Sequence, residues 1–363
     1  MLQTLTLPLR GPLPLPRKAG EGQYWLWRLM RVFWDERQRL HAPAQELHNG
    51  GFTAYAEHCG RVESMLAALG STQAVTDRGE DPLRRVHPQP YLDFLKSAFA
   101  DWKAAGRPGD ASGYVWPVVS RRPLDLDRID AKLGQYSMDA STPVAEGTWQ
   151  SAYWGAQAAL AGLDAVLAGE RSAFALCRPP GHHAGADYMG GYCYLNNAAI
   201  AAEAARAAGI GRVAILDVDY HHGNGTQDIF LERGDVFFAS IHADPRTDYP
   251  FYWGHGDERG IGEGEGATLN LPLPRGTAIR DFEPALDSAL EAIARFGAGL
   301  IVCSWGADTF VGDPISYFEL ETCDYAPIAR RIASLGLPTL VVMEGGYAVD
   351  ALGANVASFL SGF

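Results

Sequence analysis

Residues of the types that bind metals follow two apolar segments of the chain. Asp219 and His221 come shortly after residues 212–216, and Asp308 comes shortly after residues 300–304. Alternate residues of an extended segment share a face, so Asp219 and His221 can point at one ion. With Asp308 they form a set of two carboxylates and one imidazole that leaves a coordination position open, as catalytic zinc or iron(II) sites do. The alternative, a loop with capping carboxylates, accounts for the Asp-His segment alone but not for the third ligand.

Two adjacent histidines and a tyrosine supply the other groups that an amide hydrolysis needs. His182 and His183 lie in a loop flanked by Pro and Gly, and imidazole can act as both acid and base near neutral pH. Asp217 and Asn224 are candidate partners for the two rings. Tyr347 follows two glycines, and its phenol is a candidate donor to an oxyanion. Taken alone, paired histidines are more often surface groups and a loop tyrosine usually packs, but their position beside the metal-binding set favours catalysis.

Other local patterns carry less information. Tyr192 and Tyr249 can line a channel or simply pack, and the chain has no H-E-x-x-H, G-x-S-x-G or phosphate-loop motif. The segment 262–267 is rich in Gly and Glu but precedes no helical pattern, so we expect a flexible acidic loop. The catalytic hypothesis therefore depends on the metal-binding set and the tandem histidines.

From about residue 149 onward, apolar strand-like segments alternate with helical ones, which predicts an α/β fold with a buried parallel sheet. The predicted strands are 172–176, 212–216, 236–241, 300–304 and 339–343. The predicted helices are 149–167, 195–208, 281–296, 324–335 and 350–361. Residues 38–60 and 104–148, with scattered Gly, Pro and charged residues, are predicted to be rich in loops. Because ligands collect beyond the carboxyl ends of parallel strands, we expect the polar clusters that follow these strands to meet there.

The composition limits the class of protein and its partners. The 363 residues include 30 Lys and Arg and 43 Asp and Glu, for a net charge of −13. The hydrophobic fraction of 47% excludes a disordered chain, and the acidic balance disfavours nucleic acid and anionic membranes as partners. It favours a cationic or neutral small substrate. We also expect a homodimer or higher homo-oligomer.

Cysteine usage and the N-terminus bear on location and domain boundaries. The five cysteines are odd in number and form no C-x-x-C pair, which favours reduced thiols and a cytoplasmic protein. No apolar run reaches the roughly 18 residues that a membrane span needs. Residues 1–29 are rich in Pro and differ in composition from the rest of the chain, so we expect an N-terminal extension there and one domain over residues 30–363.

Several motifs resemble the arginase/deacetylase superfamily, and within it the histone-deacetylase-like amidohydrolases, most of all bacterial acetylpolyamine amidohydrolases. The stretches that carry the resemblance are RPPGHHA (178–184), GGYCYLNNAA (190–199), ILDVDYHHGNGTQDIF (215–230), FFASIHADP (237–245), GADTF (306–310), DPIS (313–316) and VVMEGGY (341–347). The resemblance covers about residues 30–363. It implies a three-layer fold around a mostly parallel sheet, and zinc-dependent hydrolysis of an N-acyl amide, most of all N-acetyl on a linear amine.

The resemblance also implies roles for individual residues. It makes Asp219, His221 and Asp308 the ligands of one zinc ion per chain. It makes His182, His183 and Tyr347 the catalytic groups, with Asp217 and Asn224 behind the histidines. A structural potassium ion is implied at the side chains of Asp217 and Ser240 and the backbone carbonyls of Asp219, His221 and Ile241. The substrate channel is implied at Gly191, Tyr192, Tyr249 and Asp130.

Substrate choice is less determined by these motifs. Ser141 stands where acetylpolyamine enzymes lead us to expect Glu, whereas Asp130 and Asp139 in the same segment are acidic. We expect these two residues, with Glu263 and Glu265, to lie in loops at the rim and to attract a cationic substrate. The alternatives are a protein acetyl-lysine deacetylase or an amidase for another small-molecule amide. A non-catalytic metal-dependent sensor is disfavoured by the complete catalytic set, and a two-manganese ureohydrolase by the absence of further His and Asp ligands.

Overall fold

A seven-stranded parallel sheet forms the centre of the molecule. The computed structural model describes residues 30–117 and 124–363, so the N-terminal extension expected at residues 1–29 lies outside the described residues. The strands are β1 (Arg31–Phe33), β2 (Gln45–His48), β3 (Gly51–Ala54), β4 (Ser172–Ala175), β5 (Val213–Asp217), β6 (Val236–Ala243), β7 (Thr268–Leu273), β8 (Leu300–Trp305) and β9 (Thr339–Met343). The order in the sheet is β1-β4-β9-β8-β5-β6-β7, and β2 and β3 form a separate antiparallel hairpin.

Helices cover both faces of this sheet. They are α1 (Gly60–Leu69), α2 (Asp81–Arg84), α3 (Gln89–Ala104), α4 (Ile129–Gln135), α5 (Thr148–Leu167), α6 (Asn197–Ala207), α7 (Asn224–Phe230), α8 (Ile279–Phe296), α9 (Tyr325–Ala333) and α10 (Val349–Leu360). One apolar core joins one sheet face to α3, α5 and α6, and a second joins the other face to α1, α8, α9 and α10. The result is the three-layer α/β arrangement that the resemblance implied.

The strand alternation explains why two cores form. Ile215 of β5 belongs to the first core, whereas its neighbours Ala214 and Leu216 belong to the second. Successive side chains of a strand point to opposite faces, and both faces are covered, so the central strands are buried throughout and mostly apolar. This is why the predicted strands match the observed ones to within two residues at each end.

Elements with mixed composition were missed by the sequence prediction. The hairpin β2–β3 and helix α4 lie in the segments 38–60 and 104–148, which were predicted to be rich in loops without these elements being identified. The hairpin is short and largely exposed, so it has no apolar period to recognise. Strand β7 contains Asn270 and Pro272 and lies at the edge of the sheet, where Pro is tolerated. Among the described residues, no helix combines the length and hydropathy required to cross a membrane.

Candidate active site

The polar clusters meet at the carboxyl edge of the sheet because the strands that precede them are neighbours. Strand β5 lies between β6 and β8, and its last residue Asp217 is level with Ser240 and Ser304. The segment after β8 carries Asp308, and the turn after β9 carries Tyr347. Parallel strands that end together bring residues far apart in sequence to one edge.

The three predicted metal ligands converge on one point. The Nδ1 atom of His221 lies 3.0 Å from Oδ2 of Asp308 and 3.4 Å from Oδ1 of Asp219. The other carboxylate oxygens are held by backbone amides, because Gly345 N–H donates to Oδ2 of Asp219 at 2.8 Å and Tyr220 N–H donates to Oδ1 of Asp308 at 3.0 Å. These bonds leave Oδ1 of Asp219 and Oδ2 of Asp308 directed toward Nδ1 of His221. Hydrogen bonds of this kind orient the ligands in metal sites.

The electrostatics of this set favour a bound cation. Both carboxylates are fully buried, and burial, together with the charge of Asp219, raises the pKa of Asp308 to about 7. Burial disfavours a charged imidazole, but the hydrogen bonds to Asp219 and Asp308 raise the pKa of His221 to about 10. Two buried anions this close repel each other unless a positive charge lies between them. The two oxygens and one nitrogen, mutually within 4.8 Å, fit a single zinc or iron(II) ion.

The tandem histidines have different partners and different charges. Nδ1 of His182 lies 3.0 Å from Oδ2 of Asp217, and Nδ1 of His183 lies 2.7 Å from Oδ1 of Asn224. Burial lowers the pKa of His182, but the carboxylates of Asp219 and Asp217 outweigh it and raise this pKa to about 10. Burial and the adjacent His182 cation hold the pKa of His183 well below its usual value. The surroundings therefore favour a charged His182 ring and a neutral His183 ring.

Tyr347 is held in place by a buried arginine that sequence reasoning missed. Arg61 donates from Nε to the carbonyl of Gly346 and from Nη2 to the carbonyl of Glu344, both at 2.6 Å. Its guanidinium carbon also lies 4.9 Å from the centre of the Tyr347 ring. Burial holds the pKa of Tyr347 well above its usual value, so the phenol stays a donor. The signal in the sequence was the pair Glu57 and Arg61, four residues apart, whose side chains form a buried ion pair at 2.8 Å.

A cavity of about 310 Å³ leads to this group of residues. The residues that line it are His48, Asn49, Ser141, His183, Gly191, Tyr192, His221, Thr247, Asp248, Tyr249, Phe251, Arg275, Pro314, Ile315, Tyr317 and Tyr347. A β-carbon at Gly191 would lie 2.1 Å from the His183 ring, so no larger residue fits there. The ring of Tyr249 meets the ring of His183 edge-on, with 5.1 Å between centres. Gly191, Tyr192 and Tyr249 thus lie on the cavity wall.

Two carboxylates, the partly buried Asp139 and the buried Glu46, support this wall from behind. Asp139 accepts bonds from the Tyr249 hydroxyl at 2.8 Å and from the Gly191 amide at 2.7 Å. Glu46 accepts from the Tyr192 hydroxyl at 3.0 Å, and burial raises the pKa of Glu46 to about 7. Asp139 therefore supports the wall rather than facing the cavity, and Glu46 was not among the predicted residues.

The expectation of an acidic rim is corrected by the structure. Asp130 does not line the cavity, because its carboxylate pairs with Arg107 and Arg128, each at 2.7 Å, in a different surface groove. Glu263 and Glu265 are also absent from the cavity lining, and their loop packs against the chain that follows α7. Among the described lining residues the carboxylate at the cavity, Asp248, is paired with Arg275 at 2.9 Å.

The residues predicted to hold a monovalent cation surround the end of β5. Asp217 accepts from the Asp219 amide at 3.2 Å and is level with Ser240 on β6. The Ser240 hydroxyl lies 2.8 Å from Nδ1 of His242, and Ile241 is fully buried. Asp217 and Ser240, which supply the two predicted side chains, are thus neighbours in the sheet.

A second cluster of metal-binding side chains does not have the chemistry of a metal site. His182, Cys193 and Glu344 lie close enough to share an ion. However, burial and the nearby Glu344 charge hold the pKa of the Cys193 thiol well above its usual value, so it stays protonated. Both oxygens of Glu344 already accept hydrogen bonds, from Ser304 and from the amides of Gly181 and His182. This cluster supports the loop of the tandem histidines.

Comparison with known proteins agrees with this geometry. The model of the histone deacetylase domain matches residues 55–363. The chain is 48% identical over 339 residues to acetylpolyamine amidohydrolase 2 of Pseudomonas aeruginosa, covering 92% of this chain and 98% of the relative. It is 46% identical over 338 residues to the acetylpolyamine amidohydrolase of Mycoplana ramosa, covering 92% and 99% of the two chains. The crystal structure of the acetylpolyamine aminohydrolase from Burkholderia pseudomallei has a TM-score of 0.88 at 41% identity, covering 92% and 98%.

Proposed function

Because this chain belongs to the histone deacetylase domain family, we propose that it is a deacetylase of small acetylated amines that acts at the edge of the sheet described above. The chain is a hydrolytic, metal-dependent enzyme of this family, and its relatives include proteins named acetylpolyamine amidohydrolases. The observation that carries the residue assignment is the convergence of Asp219, His221 and Asp308 at the inner end of a cavity lined by His183 and Tyr347.

We propose that these three side chains hold one zinc ion. Two carboxylate oxygens and an imidazole nitrogen suit zinc, and iron(II) accepts the same donors. The chemistry supplied by such a metal is polarisation of the amide carbonyl and a lowered pKa of bound water. For a structural potassium ion we propose Asp217 and Ser240, with carbonyls of the metal-binding loop, because oxygen donors from β5 and β6 are adjacent there. Elemental analysis of the purified chain tests both metals.

The proposed proton transfers follow from the partners of the two histidines. His183 donates its Nδ1 proton to Asn224, so its Nε2 can take a proton from the attacking water. The water oxygen bonds to the acetyl carbon, and the Tyr347 phenol donates to the oxyanion that forms. When the carbon–nitrogen bond breaks, a tandem histidine returns a proton to the amine, and acetate and the free amine leave. His182, held charged by Asp217, stabilises the developing negative charge.

The cavity supports a linear substrate. Tyr192 and Tyr249 form a wall on which a methylene chain can lie, and the lining includes Ser141, where the resemblance led us to expect Glu. No unpaired carboxylate lines the cavity within the described part of the chain, so recognition of a distant ammonium depends on long-range attraction by the net charge of −13. We therefore propose short N-acetylated amines as substrates, with weak activity on folded acetylated proteins.

The test is a comparison of kcat/KM for an N-acetylated diamine, a neutral N-alkylacetamide of equal length, and an acetyl-lysine peptide, with Asp308→Ala as the background control. We expect the diamine to be cleaved best, and its kcat/KM to fall as salt screens charges beyond roughly 8–10 Å. Faster cleavage of the neutral amide would leave the amidohydrolase but remove the polyamine assignment. Faster cleavage of the peptide would favour acetyl-lysine.

Assembly and location are also proposals. Exposed apolar side chains on the hairpin, including Phe52 at 73% exposure, are consistent with the homodimer or larger homo-oligomer that we propose, which light scattering tests. The five cysteines are free thiols, which supports the proposed location in the reducing cytoplasm.

A further inference from the structure

The side chain opposite His183 is an amide, and an amide has two different ends. We propose that Tyr188, backed by Asp228, is a positioning residue that fixes the orientation of the Asn224 amide and thereby determines which nitrogen of His183 carries the proton. The inference rests on the proposed function, since it assigns His183 the part of the base. It adds Tyr188 and Asp228 to the residues that the reaction requires.

The contacts form a continuous chain from Asp228 to the imidazole. The Tyr188 hydroxyl donates to Oδ2 of Asp228 at 2.6 Å, and Nδ2 of Asn224 donates to the Tyr188 oxygen at 3.3 Å. Oδ1 of the same amide lies 2.7 Å from Nδ1 of His183. Tyr188 is 6% exposed and Asn224 is fully buried, so bulk water does not compete for the bonds that the amide makes, whereas Asp228 at the other end is partly buried.

The direction of every bond in this chain follows from its carboxylate end. An ionised carboxylate can only accept, and Asp228 also accepts from the indole N–H of Trp253 at 3.1 Å. The Tyr188 hydroxyl therefore donates its proton to Asp228. Toward Asn224 the Tyr188 oxygen can then act only as an acceptor. That requires the NH₂ end of Asn224 to face Tyr188 and the carbonyl end to face His183. Nδ1 of His183 must then carry the proton, which leaves Nε2 free to act as a base.

These hydrogen bonds are needed because residue 224 is Asn rather than Asp. A carboxylate at position 224 would present an acceptor to His183 whichever way it turned. An amide turned over would present NH₂ instead, which requires an unprotonated Nδ1 and puts the proton on Nε2, where it blocks the base. Two weaker acceptors also face the NH₂ end, the Met138 sulfur at 3.2 Å and the His183 carbonyl at 3.4 Å. Of these three acceptors, Tyr188 is the one whose hydroxyl donates to a carboxylate, and this bond makes its oxygen a stronger acceptor.

Helix α7 places the two ends of the chain together. Asn224 and Asp228 are four residues apart, so they lie on one face of α7, beside the loop that carries His183. Tyr188 belongs to the continuation of that loop and bridges the two side chains. The geometry thus couples the first turn of α7 to the histidine loop.

The experiment is a double-mutant cycle of Tyr188→Phe and Asn224→Asp in the metal-loaded enzyme. In the native background we expect Tyr188→Phe to lower kcat about 3–10-fold with KM within twofold, because one bond that orients the amide is lost. In the Asn224→Asp background the same change should alter kcat less than about twofold, since a carboxylate needs no orienting. Tyr153→Phe, which removes a hydroxyl that donates to Asp77 on the surface, is the matched control and should leave kcat unchanged.

Long-range nitrogen–proton NMR of histidine-labelled enzyme gives a second readout that does not depend on turnover. The native enzyme should show His183 protonated on Nδ1, and Tyr188→Phe should populate the form protonated on Nε2. An unchanged tautomer in Tyr188→Phe overturns the proposal whatever the rate does. Equal losses of kcat in both backgrounds would mean that Tyr188 is merely structural. If the native enzyme cleaves no acetylated amine, the proposed function fails, while the tautomer measurement still decides the role of Tyr188.

Discussion

Replacement of Arg61 by Lys tests how much the reaction depends on the turn that carries Tyr347. Arg61 is fully buried and bonds three acceptors at once, namely the carbonyls of Gly346 and Glu344 at 2.6 Å and Oε1 of Glu57 at 2.8 Å. A lysine ammonium keeps the charge, but it is a single point and cannot reproduce the planar fork. At least one buried backbone carbonyl would lose its donor.

The expected magnitude follows from the groups left behind. An unpaired buried carbonyl costs about 1–3 kcal/mol of the free energy of unfolding. The carboxylate of Glu57 keeps a partner, because Arg178 Nε lies 3.0 Å from it, so no buried charge is left alone. For catalysis, a shift of about 1 Å in a positioned group can cost about 10² in rate. We expect Arg61→Lys to fold, to lose about 1–3 kcal/mol of stability, and to lose about 10–100-fold in kcat.

Urea unfolding and steady-state kinetics on the same preparations measure both effects. The control is Arg84→Lys, since Arg84 pairs with Asp81 at 2.7 Å on the surface and its side chain is 46% exposed. That change should stay within about 0.5 kcal/mol and leave kcat unchanged. If Arg61→Lys keeps kcat within twofold while stability falls as expected, the arginine supports the fold but does not position Tyr347. If neither quantity changes, the reasoning from buried carbonyls is wrong.

Three further outcomes can be checked separately. Asp308→Ala should lose the bound divalent metal as well as activity, and full zinc content measured by elemental analysis would remove it from the ligand set. Tyr347→Phe should keep the metal and the fold but lose about 10²–10³ in kcat, because one oxyanion donor is removed, and a change within twofold would transfer that role to another group. The raised pKa of Glu46, about 7 against 4.5, means that its ionisation destabilises the fold increasingly as pH rises from about 4.5 to 7. Glu46→Gln should therefore match the native enzyme in urea unfolding near pH 4.5 and exceed its stability by at most about 3 kcal/mol at pH 8, whereas a constant difference at both pH values would contradict the assignment.

The strands and the candidate ligands could be predicted because their patterns are local. Strands β5, β6, β8 and β9 each contain a run of apolar residues on both faces, which predicts that they are buried on both faces, as the structure has them. The Asp-x-His spacing at 219–221 and the adjacent histidines at 182–183 are visible without any tertiary contact. The resemblance to deacetylases, which the family match confirms, depends on these same segments.

The partners of the acidic residues could not be predicted from the local sequence pattern. Asp130, Asp139 and Glu46 look alike in the sequence, but the first pairs with two arginines and the other two hold the hydroxyls of the wall tyrosines. Which neighbour a carboxylate meets depends on elements that are distant in sequence, here more than 100 residues away for Glu46 and Asp139. The expected acidic rim was wrong for this reason.

The sequence by itself determined the fold class and the family, and it supplied the candidate residues for metal binding and proton transfer, because each depends on residue type and short spacing. The tertiary structure decided their partners. It placed Arg61 against the turn of Tyr347, Asn224 against His183, and Tyr188 between Asn224 and Asp228. The direction of a hydrogen bond and the pKa of a side chain depend on which groups are buried next to each other. These neighbours come from distant segments of the chain, which only the folded sheet and its loops bring together.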